Sequence, residues 1–149
     1  MLDRTEFAPL IPHAGSMCLL DAVLTWDATT IHAVSESHAR AEHPLRGAGG
    51  GLHAVHLAEY GAQAMAVHGA LRDRAQGATA VKPGRLVSLR GVRLAVEYVA
   101  ASGGRLDVHA ECLYADDAGA QYAFRVEQAG RLLASGRAAV IHPSEPSHD

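Results

Sequence analysis

The apolar positions divide the chain into strand-like segments on either side of one long helix-like segment. The run 54–71 is apolar on nearly every side of a helix, and Glu59 is its only formally charged residue. A helix that is apolar all round belongs in the interior of a domain rather than on its surface. The pattern therefore predicts one buried central helix over 54–71, followed by a charged C-terminal end at Arg72-Asp73-Arg74, where positive charge suits the helix dipole.

Alternating or continuously apolar segments before and after this helix predict β-strands. Two strands form a hairpin before the helix and four follow it, with turns rich in glycine and aspartate between them. The predicted strands cover residues 17–26, 31–35, 85–98, 104–114, 120–128 and 132–142. Alternation is clearest in the fourth strand, where apolar residues at 106, 108, 110 and 112 oppose polar ones at 107, 109 and 111.

The remaining segments carry polar residues, glycine or proline and predict connections. Residues 1–12 read as an N-terminal arm, 37–51 as a glycine-containing loop, and 76–84 as a second loop. The end of the chain, 143–149, reads as a short disordered tail. We therefore predict one domain over residues 1–142.

The order of the elements predicts the architecture. Only one sheet is available to cover the single apolar helix, so the sheet must wrap around it. This gives an α+β hot-dog fold, with one long buried central helix wrapped by a curved antiparallel sheet of about six strands. The outer face of such a sheet still needs cover in places, and we therefore expect a dimer.

Composition narrows the function. A chain of 149 residues with 48% hydrophobic residues suits one globular domain. A net charge of -3 and 5% aromatic residues give no support for nucleic acid as the main ligand. Cys18 and Cys112 read as free thiols, the polar N-terminus lacks a secretory pattern, and polar residues interrupt the apolar helix. We expect a cytoplasmic protein that does not enter the membrane.

Glu59 and His43 carry the chemistry. A carboxylate on an apolar helix has lost water, so it requires a partner, a proton or a function. His43 precedes Glu59 by sixteen residues in a turn-like segment, His43-Pro44-Leu45-Arg46, that is able to return to the helix. A desolvated carboxylate facing an imidazole is a natural acid/base pair.

Several motifs resemble one enzyme family. The segment from Ile11 to Asp21 (IPHAGSMCLLD) resembles the opening of hot-dog 3-hydroxyacyl-ACP dehydratases, and His43-Pro44 resembles the histidine before their helix. Glu59 followed by Gln63 is similar to their helix motif, and 132–140 is similar to the last strand of many hot-dog proteins. The likeness is greatest to the dehydratases of aryl polyene pigment clusters, through EYGAQAMAVHG at 59–69.

The resemblance implies a reaction and a partner. It implies dehydration of a 3-hydroxyacyl thioester, carried on acyl carrier protein, to a trans-2-enoyl thioester in aryl polyene or fatty-acid-like biosynthesis. His43 takes the C2 proton, Glu59 protonates the departing hydroxyl, and Gln63 orients the carboxylate or a water. The backbone N–H groups of Ala54 and Val55 stabilise the thioester oxygen. No metal or organic cofactor is required.

Other readings stay open. The histidines His38, His53 and His56 compete with His43, because this chain has Ala41-Glu42-His43-Pro44 where the family often has Gly-His-Phe-Pro. His56 lies on the same helix face as Glu59 and either positions the substrate or pairs with the carboxylate. A hot-dog acyl thioesterase, and a noncatalytic dehydratase-like subunit of a heteromeric complex, are the alternative functions. The partner is a second copy or another hot-dog subunit, and the family often places its histidine and glutamate across that interface.

Overall fold

The computed structural model describes residues 1–11, 17–40, 42–47, 51–77 and 85–142, and of 85–87 only the backbone. The predicted tail 143–149 and most of the predicted loop 76–84 lie outside these ranges. The described helices and strands are, in chain order, β1 (Leu2–Asp3), α1 (Arg4–Phe7), β2 (Ala22–Trp26), β3 (Thr30–Ser35), α2 (Leu57–Ala75), β4 (Arg85–Leu94), β5 (Leu106–Ala115), β6 (Gly119–Gln128) and β7 (Arg131–Ile141).

The strands form one antiparallel sheet that curves around α2. Their order is β1-β2-β3-β5-β6-β7-β4, and α2 packs against β3, β5, β6 and β7. The predicted α+β hot-dog fold is confirmed. The sheet has seven strands rather than about six, because the two-residue strand β1 pairs with β2 at one edge.

The N-terminal segment is more ordered than predicted. Asp3 caps α1 through a capping box, in which its side chain accepts from the backbone of Glu6 and the Glu6 side chain accepts from its backbone. Phe7 and Leu10, which follow, are buried in the core. The prediction of an arm was wrong because a polar opening concealed two core residues.

The central helix ends where its charged residues indicated. A short 3-10 turn, Ala54–His56, precedes α2, and α2 ends at Ala75. The last turn contains Arg72 and Arg74, whose positive charge complements the C-terminal end of the helix dipole. The predicted charged C-terminal end at 72–74 is therefore confirmed.

The helix lies close to the sheet at Gly61. A Cβ atom placed on Gly61 would stand 2.7 Å from the ring of Phe124 on β6. The absence of a side chain therefore allows α2 and β6 to approach, and the fourth residue of α2, Tyr60, becomes fully buried. This close contact fixes the depth of the N-terminal half of α2 in the core.

The outer face of the sheet is polar. The alternation predicted for β5 is present, since Leu106 and Val108 are buried against the helix while His109 faces outward. His109 stacks on His32 of β3 with ring centroids 4.1 Å apart, and both line an outer groove of about 1050 Å³. Helix α2 lies on the opposite face of this sheet.

Candidate active site

The loop that carries His43 is held by arginines. Arg46 donates through Nη2 to the carbonyl oxygens of His38, at 2.8 Å, and Arg40, at 2.6 Å. Arg40 in turn forms an ion pair of 2.9 Å with Asp21, at the start of β2. These contacts fold the loop onto the end of the sheet and position His43 over the start of α2.

Both ring nitrogens of His43 are hydrogen-bonded, and the residue is 6% exposed. Nδ1 accepts from the backbone N–H of Leu45 at 3.1 Å, and Nε2 lies 2.8 Å from Tyr60 Oη. Burial, followed by the nearby charges of Arg46 and His56, lowers the pKa of His43 below its ordinary value. The imidazole is therefore neutral near pH 7.

Tyr60 extends this contact into the interior. Its Oη lies 2.7 Å from Ser37 Oγ, which lies 2.8 Å from Ser35 Oγ, and Ser35 donates to the carbonyl oxygen of Leu19. Burial raises the pKa of Tyr60 to about 12, so the phenol is neutral. Sequence reasoning missed Tyr60 and the serines, although a tyrosine on a buried helix face signals a partner for its hydroxyl.

Glu59 is half-buried rather than buried, because its side chain reaches the edge of the helix face. Gln63 Nε2 lies 3.4 Å from Glu59 Oε1, so the structure brings together these two predicted site residues. Gln63 also donates to the carbonyl of Met17 at 2.6 Å and accepts from the N–H of Leu19 at 2.8 Å. It thereby ties the carboxylate to the segment that enters β2.

The backbone N–H groups predicted to bind the thioester oxygen already have acceptors. Ala54 donates to the carbonyl of Glu97 at 2.8 Å, and Val55 donates to Nδ1 of His53, the N-cap residue, at 3.0 Å. A thioester oxygen at this position must replace one of these bonds. Rotation of the His53 ring alone would release the Val55 N–H, because that bond is made to a side chain.

The competing histidines occupy different environments. His38 is buried, and Gln128 Nε2 lies 3.3 Å from its Nε2. Burial is the main cause of its lowered pKa. His56 is half-buried, three residues before Glu59 on the same helix face, and its charge contributes to the lowered pKa of His43. His43 and His56 are therefore close enough to influence each other near the start of α2, the helix that carries Glu59 in its first turn.

The described ranges contain neither a cluster of metal-binding side chains nor a helix that could span a membrane. No group of three or more His, Cys, Asp or Glu side chains there is arranged to hold a metal ion. No helix in the same ranges is long and apolar enough to cross a membrane. The chemistry that the described side chains offer is proton transfer between neutral imidazole, carboxyl and hydroxyl groups.

Solved structures share this fold. The dehydratase heterocomplex ApeI:P from Xenorhabdus doucetiae matches with a TM-score of 0.82 and 23% identity, over 93% of this chain and 91% of that one. AziG from S. sahachiroi matches with a TM-score of 0.57 and 20% identity, over 85% and 91% of the chains. A hypothetical thioesterase with coenzyme A from Streptococcus pneumoniae TIGR4 matches at 0.61 and 9%, over 84% and 87%.

Family membership rests on a different comparison. No protein with curated function matches the chain. A family described as ApeP-like, ApeP dehydratase, matches residues 5–148, which include the loop with His43, all of α2 and every strand after it. The chain belongs to the ApeP-like dehydratase family.

Proposed function

We propose that this chain takes part in dehydrating 3-hydroxyacyl thioesters on acyl carrier protein to trans-2-enoyl thioesters, in aryl polyene or fatty-acid-like biosynthesis. Membership of a dehydratase family over residues 5–148 carries the proposal. A neutral histidine packed on Tyr60 of α2 and a carboxylate at the preceding residue of that helix support it, because the reaction needs one base and one acid. The proposed location is cytoplasmic.

The proposed reaction is an elimination, in which a base removes one proton from the substrate and an acid supplies one to the leaving group. His43 takes the proton from C2, and the electron pair of that C–H bond forms the C2–C3 double bond through an enolate. The C3–O bond breaks, and Glu59 gives a proton to the departing oxygen, which leaves as water. Gln63 holds the carboxyl group, and an N–H group at Ala54 or Val55 stabilises the enolate oxygen.

The proposed protein partner is a second hot-dog subunit, which is either another copy or a different chain. Among the described strands, β4 pairs only with β7, so its other edge presents unpaired backbone groups. Exposed apolar side chains follow this edge and continue toward the start of α2; they are Leu89, Val92, Leu94, Tyr98 and Val55. The heteromeric dehydratase ApeI:P, which shares the fold, supports such an assembly.

The test is turnover of a 3-hydroxyacyl carrier protein by the purified chain, read by intact mass. A mass loss of about one water from the acyl group is expected for the wild type and is expected to disappear in Glu59→Gln and His43→Ala. Matched controls are Asp73→Asn, an acid on the last turn of the same helix, and His109→Ala, on the outer sheet face. Both controls should dehydrate normally.

Other outcomes assign other functions. Release of free carrier would replace dehydration with thioester hydrolysis. If the mass of the acyl group does not change, with the chain alone or with an added hot-dog partner, the chain is assigned as a noncatalytic subunit. Activity that appears only with the partner and disappears in Glu59→Gln would assign the acid of a shared site to this chain.

A further inference from the structure

The direction of the hydrogen bond between His43 and Tyr60 follows from the groups around them. A backbone N–H only donates, so the Leu45 N–H at 3.1 Å requires a lone pair on His43 Nδ1. A neutral imidazole then carries its hydrogen on Nε2. His43 therefore donates through Nε2 to Tyr60 Oη, 2.8 Å away.

The hydroxyl groups beyond Tyr60 are compatible with this direction. Once Tyr60 Oη accepts from His43, its own hydrogen is able to point to Ser37 Oγ, 2.7 Å away. Ser37 Oγ lies 2.8 Å from Ser35 Oγ, whose hydroxyl has both this oxygen and the carbonyl oxygen of Leu19 as acceptors, and the Ser37 N–H donates to Ser35 Oγ at 3.1 Å.

We infer that Tyr60 is a positioning residue of the candidate site, which holds His43 as the Nε2–H tautomer and leaves Nδ1 as its basic nitrogen. The inference rests on the proposed function, in which His43 takes the C2 proton. Among the described residues, the hydrogen bond to Nδ1 comes from the Leu45 N–H, which belongs to a half-buried turn. Substrate reaches the basic nitrogen when this N–H moves aside, while Tyr60 keeps the ring in place.

Tyr60 also acts when the proton arrives. An imidazolium needs an acceptor for each N–H, and Tyr60 Oη is already in position for the one on Nε2. Arg46, His56, Arg40 and His38 each oppose protonation of His43. Tyr60 Oη, 2.8 Å from Nε2, is an oxygen in position to steady the charge formed on the ring.

The first test reads the tautomer without any substrate. In the full-length protein, ¹⁵N chemical shifts and two-bond couplings of the His43 ring distinguish a hydrogen on Nε2 from one on Nδ1, with His43→Gln used for assignment. We expect the Nε2–H form in the wild type and a mixture of tautomers in Tyr60→Phe. A hydrogen on Nδ1 in the wild type would overturn the inference, whatever the protein catalyses.

The second test reads the pH profile of turnover. Tyr60→Phe removes the acceptor of Nε2–H and so disfavours the protonated ring further. We expect kcat to fall roughly 10- to 100-fold, as for a misplaced catalytic group, with little change in KM. The limb where protonation of the base abolishes activity should move to lower pH.

The matched control is Tyr122→Phe, which removes the hydroxyl of the other buried tyrosine that contacts a histidine. It should leave the position of the limb unchanged. Ser37→Ala breaks the next link and should move the limb in the same direction by less, which keeps the inference testable if Tyr60→Phe folds poorly. Equal profiles for the wild type, Tyr60→Phe and Ser37→Ala would contradict a positioning role. Absence of turnover in the wild type would instead overturn the proposed function, with the tautomer still readable.

Discussion

Two buried histidine–tyrosine pairs lie along α2, and their hydrogen bonds run in opposite directions. Near the start of the helix, His43 donates to Tyr60. In the second half, His68 Nε2 lies 2.8 Å from the carbonyl oxygen of Asp27, so Nε2 carries the hydrogen. His68 Nδ1 therefore accepts from Tyr122 Oη, 2.6 Å away. Both histidines carry their hydrogen on Nε2, but Tyr60 contacts Nε2 of His43 whereas Tyr122 contacts Nδ1 of His68.

The difference decides which nitrogen is within reach of a substrate. The lone pair of His68 is closed by a buried tyrosine, and this histidine is completely buried. Among the described residues, the lone pair of His43 accepts from a backbone N–H in a half-buried turn, that of Leu45. Burial lowers the pKa of both rings, so both are neutral bases near pH 7. The first pair is suited to proton transfer and the second to holding the core together.

The largest contrast should appear when each histidine is removed. We expect His43→Ala to lower turnover roughly 100-fold or more, because the base is lost. His68→Ala should leave the turnover of folded protein unchanged but lower the free energy of unfolding by about 2–4 kcal/mol, through a cavity and an unpaired tyrosine hydroxyl. Turnover rates measured beside urea unfolding curves check this. Loss of activity in folded His68→Ala would remove the distinction between the pairs.

A smaller contrast concerns two glycines of the same helix. In Gly61→Ala the new Cβ meets the Phe124 ring at 2.7 Å, and we expect a loss of about 1–3 kcal/mol from overpacking. In Gly69→Ala the nearest atom is Tyr122 Oη at 3.9 Å, and alanine should gain up to about 1 kcal/mol of helix propensity. Equilibrium unfolding of both variants tests whether only the first half of α2 packs tightly against the sheet. Equal changes in the free energy of unfolding would show that the two halves pack alike.

The smallest effect is a difference in the slope of stability with pH. Because the folded-state pKa of His43 and His68 lies below the ordinary value of 6.5, their contribution is present above that pH. It is lost as pH falls through the folded-state pKa, so the free energy of unfolding should decline from pH 7 toward 5. His43→Gln and His68→Gln should each make this decline shallower, as urea unfolding at several pH values will show. A slope that neither variant changes would place the pH dependence elsewhere.

Much of the fold was readable from the sequence. The apolar pattern around Glu59 predicted the central helix, and alternation in β5 predicted which residues face it. The helix end was readable too, because the positive charge of Arg72 and Arg74 indicated a last helical turn after the apolar signal stops. The helix α1 was missed because a four-residue capping box is a weak signal beside a polar opening.

The sequence indicated residues of the candidate site but not the hydrogen bonds between them and their neighbours. The sequence indicated Glu59, Gln63 and His43, and the structure places Gln63 beside Glu59 on α2 and His43 against Tyr60 of the same helix. Their roles in catalysis stay predictions. The sequence did not reveal that Tyr60 takes the Nε2–H of His43, since the two residues lie seventeen positions apart and the link depends on how the loop folds.

The sequence by itself determined the apolar helix, the strands that wrap it and the acidic residue at its first turn, because residue type fixes which positions are apolar and how they alternate. Tertiary structure decided which atom of His43 bonds to which neighbour. Direction in a hydrogen-bond chain is set by groups that only donate, such as the Leu45 N–H, and groups that only accept, such as the Leu19 carbonyl. Every residue but proline has both backbone groups, so only the fold determines which of them meets a given side chain.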